Sequence, residues 1–411
     1  MTPAPGWDPQ VFSPYDRGPD IVIARIAARS PQFDAVCAAG ERPVVVGSAA
    51  GHRREQVVTS ARGELLERVG NILAGREAEA NDAALVAGYA ELRRRGIPAL
   101  DPAAATPDGF APTTPPDVAR STRRLWVLGR HAHTDAEIHV PAGSVFLHHR
   151  PPTGCDPGPG VGSTGLAAHP DPQAAADHAA WEVLERDLIR RSWYGLSPAP
   201  TPLPTGEPPD PLAKLLTELD VTASVLDVPA TPGARCVVVC LHAPDGTRQT
   251  FGARCGPDTA IPPLIEKAAY EALMVRWSMS SPVAVDTWAR GWGRHPPRTA
   301  VQHALWAYHR QDSLTLWTSR THDAHGHPTP PRQPAGRASA DAATTPVNRP
   351  GLTALAAHTD RDVILVDTTA GPARTLGSTV IRAIAPGAGA LPTGPAPEQH
   401  PRRASAPHPF G

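Results

Sequence analysis

HAAWEVLERD (residues 178–187) repeats the spacing of SARGELLERV (residues 60–69): a polar residue, Glu four positions later, a second Glu three further on, then Arg. On an α-helix such positions share a face, so Ser60, Glu64 and Glu67 form one stripe and His178, Glu182 and Glu185 another. Ala61, Leu65, Leu66, Val69, Ile72 and Leu73 recur at helical spacing and mostly avoid the first stripe; Ala176, Ala180, Val183 and Leu184 lie roughly opposite the second. Each segment therefore predicts a helix with an apolar face and an acidic one. Two Glu at i and i+3 repel by roughly 0.2–0.5 kcal/mol, so helix stability alone does not explain the pattern. Either stripe by itself also fits a solvated helix face. Written twice, the pattern suggests carboxylates from two helices facing each other. Such a donor set suits Mg2+, which takes one or two carboxylates and fills its other positions with water and phosphate oxygens. The ligand class implied is a nucleoside triphosphate held through metal.

The whole chain narrows the alternatives. Its 411 residues can bury a large core, as one big domain or two to three subdomains. With 39 Lys+Arg against 40 Asp+Glu, there is no bulk electrostatic case for nucleic acid or an anionic membrane as partner. No apolar run approaches the roughly 20 residues of a membrane span, and MTPAPGWDPQ lacks the basic and apolar parts of a signal peptide, so a cytoplasmic protein is expected. Five cysteines, odd in number and without CxxC, argue against a disulfide framework and a zinc ribbon. RCVVVCL (235–241) reads as a buried strand with Cys236 and Cys240 on one face, packed as small hydrophobes. The histidines include no HExxH, and His131 and His133 of the HAH turn cannot complete a tetrahedral site by themselves.

Proline punctuates the chain. Its clusters at 102–116, 151–159, 198–211, 328–350 and from 386 onward predict surface loops or disordered linkers, the clearest being HGHPTPPRQPAGRASADAATTPVNRPG (325–351). Between them lie strand-like DIVIARI, RPVVVGS, LWVLGR, IHVPAG, SVFLHH, ASVLDV, CVVVCL, RDVILVD and STVIRAIA. Helical patterns cover 55–76, 81–95, 172–194, 262–277 and 300–310. No regular βα rhythm joins them, which predicts a mixed α+β architecture rather than a doubly wound sheet. GxxxxGK[ST] is absent, and GVGSTG (160–165) is the nearest approach to GxGxxG, so neither a Walker nor a Rossmann site is expected.

STGLAAHPDPQAAADHAAWEVLERDLIRRSW (163–193) resembles the central signature of the YcaO family, typically SNGLAAG followed by a helix with Q/H-x-x-x-E-x-x-E-R. SARGELLER resembles that family's first helix motif, SAxxExxER, and LIEKAAYEALMVRW (264–277) its third. TFGARCGPDTAIPPLIEKA, LGSTVIRAIAPGAGALPTG and the final SAPHPFG extend the likeness through most of the chain, in order. The resemblance implies an α+β YcaO fold spanning 1–385, with Pro-rich loops near 102–116, 198–211 and 322–350, followed by a Pro-rich tail over 386–411. It implies use of ATP and Mg2+ to activate backbone amides of ribosomally made precursor peptides. Glu64, Glu67, Glu182 and Glu185 would then face Mg2+, while Ser60, His178, Arg186 and Arg276 contact the nucleotide, the arginines offering rigid forks to phosphate oxygens. Arg68 matches as well, or only pairs locally. Thr164 stands for the family's usual Asn, His169 for a Gly, and Ala50 for the Lys of a GKG.

APHPFG resembles the C-terminus of azoline-forming cyclodehydratases, whose tail folds back towards the active site. By that resemblance the Gly411 carboxylate is the expected catalytic group, accepting or relaying a proton; a frayed terminus is the alternative. Such enzymes commonly depend on an E1-like, leader-binding partner, and homodimers occur by family analogy. Thioamide- or amidine-forming chemistry, or a non-catalytic scaffold role in a modification complex, are the rival readings.

Overall fold

Both duplicated segments are helices. The first forms from Arg54 to Glu79 and buries Ala61, Leu65, Val69 and Ile72 on one side. The second runs Pro172–Tyr194. The Asp171 carboxylate accepts the Gln173 N–H at 2.9 Å, Pro172 occupies the first helical position, and Gly195, at φ 72°, ends the helix in the left-handed conformation. The computed structural model of the chain describes residues 7–16, 21–105, 107–110, 112, 114–158, 160–204, 206–291, 295–310, 312–319, 349–392 and 406–411.

In chain order the elements are β1 (Gln10–Phe12), β2 (Val22–Arg29), β3 (Val44–Gly51), α1 (Arg54–Glu79), β4 (Leu85–Ala87), α2 (Tyr89–Arg94), α3 (Pro116–Ser121), β5 (Arg124–His131), β6 (Glu137–Pro141), β7 (Leu166–His169), α4 (Pro172–Tyr194), β8 (Thr201–Pro202), α5 (Asp210–Glu218), β9 (Thr222–Val228), β10 (Ala234–His242), β11 (Thr250–Pro257), α6 (Ile261–Met279), α7 (Pro282–Ala289), α8 (Ala300–His309), α9 (Ser313–Thr318), α10 (Pro350–Thr359), β12 (Ile364–Asp367), α11 (Pro372–Thr375) and β13 (Thr379–Ile384). Among the described residues the strands make three sheets: β1-β2-β3, β11-β10-β9-β8, and β4-β5-β12-β13-β7 with β6 beside β5. All their pairings are antiparallel, which gives the α+β architecture that the irregular order of elements predicts.

One long helix covers each sheet: α1 lies on β2 and β3, α6 on β10 and β11, and α4 on β7 and β13 while also reaching β11. Two glycines set how close these helices come. A Cβ at Gly47 in β3 would collide with the Ala61 carbonyl of α1, and one at Gly252 in β11 with the Ala268 carbonyl of α6. β10 separates two cores: Cys236, Val238 and Cys240 face α4, whereas Val237, Val239 and Leu241 face α6. Both thiols on one buried face is the placement their spacing predicts.

Elsewhere tertiary contacts override local pattern. The helix expected over 81–95 is a strand and a shorter helix, because Leu85 and Val86 pair with Trp126 and Leu125 of β5 before α2 starts at Tyr89. SVFLHH is not a strand. Asn71 of α1, wholly buried, accepts the Leu147 N–H and donates to the Val145 carbonyl, so a side chain supplies the bonds a ladder would have supplied. The proline run at 198–211 ends inside helix α5, and that at 102–116 ends at the start of α3. Most of the expected linker at 325–351 lies outside the described residues; its end, Pro350 and Gly351, begins α10.

Candidate active site

β3, β7 and β11 are edge strands, each the last of its sheet, and an edge strand has backbone N–H groups with no ladder partner. Here carboxylates take them. Glu64 of α1 accepts the Ser48 N–H at 2.5 Å, Glu182 of α4 that of Gly165 beside β7 at 3.0 Å, and Glu185 that of Cys255 at 2.9 Å. Glu271 of α6 accepts the Ala253 N–H at 3.0 Å. The close approaches at Gly47 and Gly252 let α1 and α6 reach their strands, and the result is that three sheet edges point their donors at one group of acids. Glu67 lies among them with no hydrogen bond or ion pair to any described residue.

Burial and mutual repulsion hold these acids towards the protonated form. Burial first, then Glu182 and Glu64, push Glu67 well above the usual carboxylate range. Burial raises Glu64 against the opposing Arg68 and Ser48 N–H, and Glu182 against Arg186 and the Gly165 N–H. Glu185, 1% exposed, is raised by burial to about 7 although Arg186 and Arg254 oppose the shift. Four arginines stand around the group. Arg68 binds Glu64 at 2.6 Å and the Val46 carbonyl. Arg186 lies 3.5 Å from Glu185 and 3.7 Å from Glu271; burial disfavours its charge, but Glu185, Glu271 and Glu182 outweigh that and raise its pKa. Arg382 of β13 donates to the Gly162 carbonyl at 2.8 Å, and burial lowers it to about 10 against Glu182 and Glu67. Arg254 of β11 is the fourth.

Thus Glu64, Glu67, Glu182, Glu185 and Arg186 come together, as the duplicated spacing anticipates. Ser60 and His178 lie exposed at the rim, one turn before Glu64 and Glu182; the His178 ring meets His169 edge-on at 5.6 Å. Arg276 is set apart. It donates to the Arg248 carbonyl at 2.5 Å and stands near Tyr308 and Tyr15, and it is not among the charges that act on the four glutamates. Sequence reading missed Glu271, Arg254 and Arg382. Arg382 carries a legible signal, a lone charge inside the apolar STVIRAIA; Glu271 and Arg254 belong to no repeated pattern.

The donor set fits a divalent cation. Glu67 is a half-buried carboxyl with no hydrogen-bond or ion-pair partner among the described residues, and positive charge beside it would favour its ionised form against Glu182 and Glu64. Among the described residues no group of three or more His, Cys, Asp or Glu side chains is placed to hold a metal ion by itself. Each other glutamate spends an oxygen on a backbone N–H, so the arrangement suits an ion held by one or two carboxylates with phosphate oxygens completing its shell.

The segment 406–411 docks against the second half of α4. Trp193 Nε1 donates to the Ala406 carbonyl at 2.9 Å, and Phe410, 2% exposed, packs against Phe251 and Trp317. His303 Nδ1 donates to the His408 carbonyl at 2.8 Å, His408 Nε2 donates to the Pro392 carbonyl at 2.7 Å, and the two rings stack at 3.8 Å. Burial, then His303, lowers His408 to about 3, so it is neutral. Gly411 lies against Ala304 of α8. The preceding turn is fixed by Asp187, wholly buried, which accepts from Arg191 Nε, His358 Nε2 and the Gly389 N–H at 2.6, 2.7 and 2.8 Å.

Residues 48–389 match the family model described as YcaO cyclodehydratase, ATP- and Mg2+-binding. No curated protein matches the sequence. Among solved structures, a heterocyclase in complex with substrate and cofactor is 16% identical with a TM-score of 0.62, over 94% of this chain and 50% of that one. The YcaO protein from Methanopyrus kandleri bound with AMPPCP and Mg2+ is 20% identical, TM-score 0.56, over 96% and 90% of the two chains. A chain of the E. coli microcin synthetase McbBCD complex with pro-MccB17 bound is 13% identical, TM-score 0.57, over 92% and 88%. At such identities the likeness is one of fold. The chain spans about half the length of the heterocyclase.

Proposed function

The chain belongs to the YcaO family, whose members bind ATP and Mg2+, and from that membership we propose that it activates a backbone amide of a ribosomally made precursor peptide. In this reading a Cys, Ser or Thr side chain closes onto the preceding carbonyl to give a thiazoline or oxazoline. The observation that carries it is the convergence of Glu64, Glu67, Glu182 and Glu185 from two helices into one group, half-buried except for the buried Glu185, whose mutual repulsion a cation would relieve. Bound Mg·ATP supplies the phosphoryl group that makes the amide oxygen a leaving group. The ring's new C–S or C–O bond forms at the carbonyl carbon, the amide oxygen departs with phosphate, and the thiol or hydroxyl proton and the amide N–H proton are lost.

The chain's own residues bind, orient and neutralise. Glu64, Glu67, Glu182 and Glu185 are the metal-facing carboxylates, all but Glu67 fixed by backbone N–H groups at the sheet edges, which removes reorganisation from the reacting step. Arg186, half-buried between Glu185 and Glu271, offers a preorganised charge to phosphate oxygens. Ser60 and His178 meet the nucleotide at the rim. The segment 406–411 docks on the second half of α4 at Trp193, with Gly411 against Ala304 of α8; Arg276, on the Arg248 carbonyl, stands outside the carboxylate group.

The solved relatives include complexes of several proteins and of enzyme with substrate. For this chain the corresponding partners are the precursor peptide and an E1-like, leader-binding protein that presents it. The test is mass spectrometry of the cognate precursor incubated with the chain, that partner and Mg·ATP. Loss of one water mass per modified residue supports cyclodehydration. Exchange of oxygen for sulfur identifies a thioamide former, and an unchanged peptide together with little thermal stabilisation by Mg·ATP a scaffold.

A further inference from the structure

Three of the four site arginines have visible partners: Arg68 holds Glu64, Arg186 stands between Glu185 and Glu271, and Arg382 donates to the Gly162 carbonyl. Arg254 has none. Among the described residues no carboxylate lies within 4 Å of its guanidinium, and its Nε is buried without a hydrogen-bond acceptor. Yet it sits within the group, its charge acting on Glu64, Glu182 and Glu185. β11 explains the placement. The N–H groups of Ala253 and Cys255, on either side, go to Glu271 and Glu185. Alternation along the strand sends the Arg254 side chain to the α6 face, between Gly252 and Gly256, where the helix packs closely enough to touch both glycines.

A buried N–H without an acceptor costs roughly 1–3 kcal/mol, and the guanidinium is a rigid fork of five donors. Had Arg254 served only to neutralise the glutamates, contact with one of them was available, as Arg68 and Arg186 show. We propose that Arg254 contacts phosphoryl oxygens of the nucleotide's polyphosphate chain, its open donors receiving that anion while the glutamates receive the metal. The inference rests on the reading of this site as one for Mg·ATP.

Calorimetry with Mg2+ and a non-hydrolysable ATP analogue, with ADP, and with adenosine separates the possibilities. Arg254→Gln is expected to weaken the analogue by about tenfold or more, in keeping with a lost charge-assisted contact, to weaken ADP less, and to leave adenosine within about twofold. Arg254→Lys, which keeps the charge and loses the fork, is expected to recover only part of the affinity. Parental affinity for the analogue in folded Arg254→Gln overturns the contact, as does an equal loss for all three ligands or full recovery in Arg254→Lys. Should Arg254→Gln not fold, the Lys variant decides alone: reduced analogue affinity with unchanged adenosine supports the contact, unchanged affinity for both rejects it. Failure of the parent protein to bind the analogue rejects the nucleotide site itself, and this contact with it.

Discussion

Replacing Glu185 by Gln should stabilise the ligand-free protein at alkaline pH while abolishing its response to nucleotide. Glu185 is 1% exposed and its carboxyl is raised from 4.5 to about 7, burial being the main cause. A folded-state pKa above the unfolded one means that the folded chain binds the extra proton. The stabilisation is therefore complete below about 4.5 and is lost as pH rises through about 7. At about 1.4 kcal/mol per unit this amounts to about 3 kcal/mol for Glu185. The side-chain amide of the Glu185→Gln variant keeps an oxygen for the Cys255 N–H and carries no charge to desolvate, and Arg186 retains Glu271. Urea unfolding without Mg2+ or nucleotide, at about pH 5 and about pH 8, should show the variant gaining roughly 2 to 3 kcal/mol on the parent between the two, part of the effect being already lost at about pH 5. In a second arm, Mg·ATP analogue at about 100 times its Kd should stabilise the parent by roughly 2.7 kcal/mol and the variant by far less. A parent–variant difference that does not change with pH, or an undiminished ligand shift, would refute the reasoning.

Three further outcomes are expected. Glu182→Gln should keep the fold by circular dichroism and lower ATP-dependent peptide turnover by about a hundredfold or more, the scale of losing one preorganised electrostatic group. Phe410→Ala empties a site lined by Phe251 and Trp317 and should loosen the 406–411 segment by about 3–5 kcal/mol, exposing it to carboxypeptidase, while deletion of 407–411 should slow peptide turnover with Mg·ATP affinity within about twofold of the parent. Gly47→Ala drives a methyl into the α1 backbone and should cost about 1–3 kcal/mol in urea unfolding and weaken Mg·ATP binding together, since the same approach seats Glu64 on Ser48.

What the sequence made legible follows from how the site is built. α1 and α4 each carry several candidate site residues in one periodic stripe, so Glu64, Glu67, Glu182 and Glu185 could be read from spacing and helix geometry, and Arg186 from the family resemblance. β7 and β11 were hidden, since LAAH is short and small and TFGARCGP carries glycines that depress any strand signal yet are required for α6 to approach. Arg254 and Arg382 are single charges on strands, and only the meeting of three sheets gives them meaning. SVFLHH misled because its apolar run has the strand composition, while its backbone bonds go to Asn71, more than seventy residues earlier. The helical pattern at 81–95 failed for a related reason: β5 offered Leu85 and Val86 a partner that no local window contains.

The most direct test of the proposed backbone-amide activation labels the carbonyl oxygen preceding a modified Cys, Ser or Thr with oxygen-18 and follows it through a reaction of the precursor with the chain, the E1-like partner proposed for it and Mg·ATP. Expected is one labelled oxygen in inorganic phosphate for each ring formed, with the peptide lighter by one labelled water. Ring formation that leaves the phosphate unlabelled and puts the label in solvent, or ATP turnover with the label retained in the peptide, would contradict it.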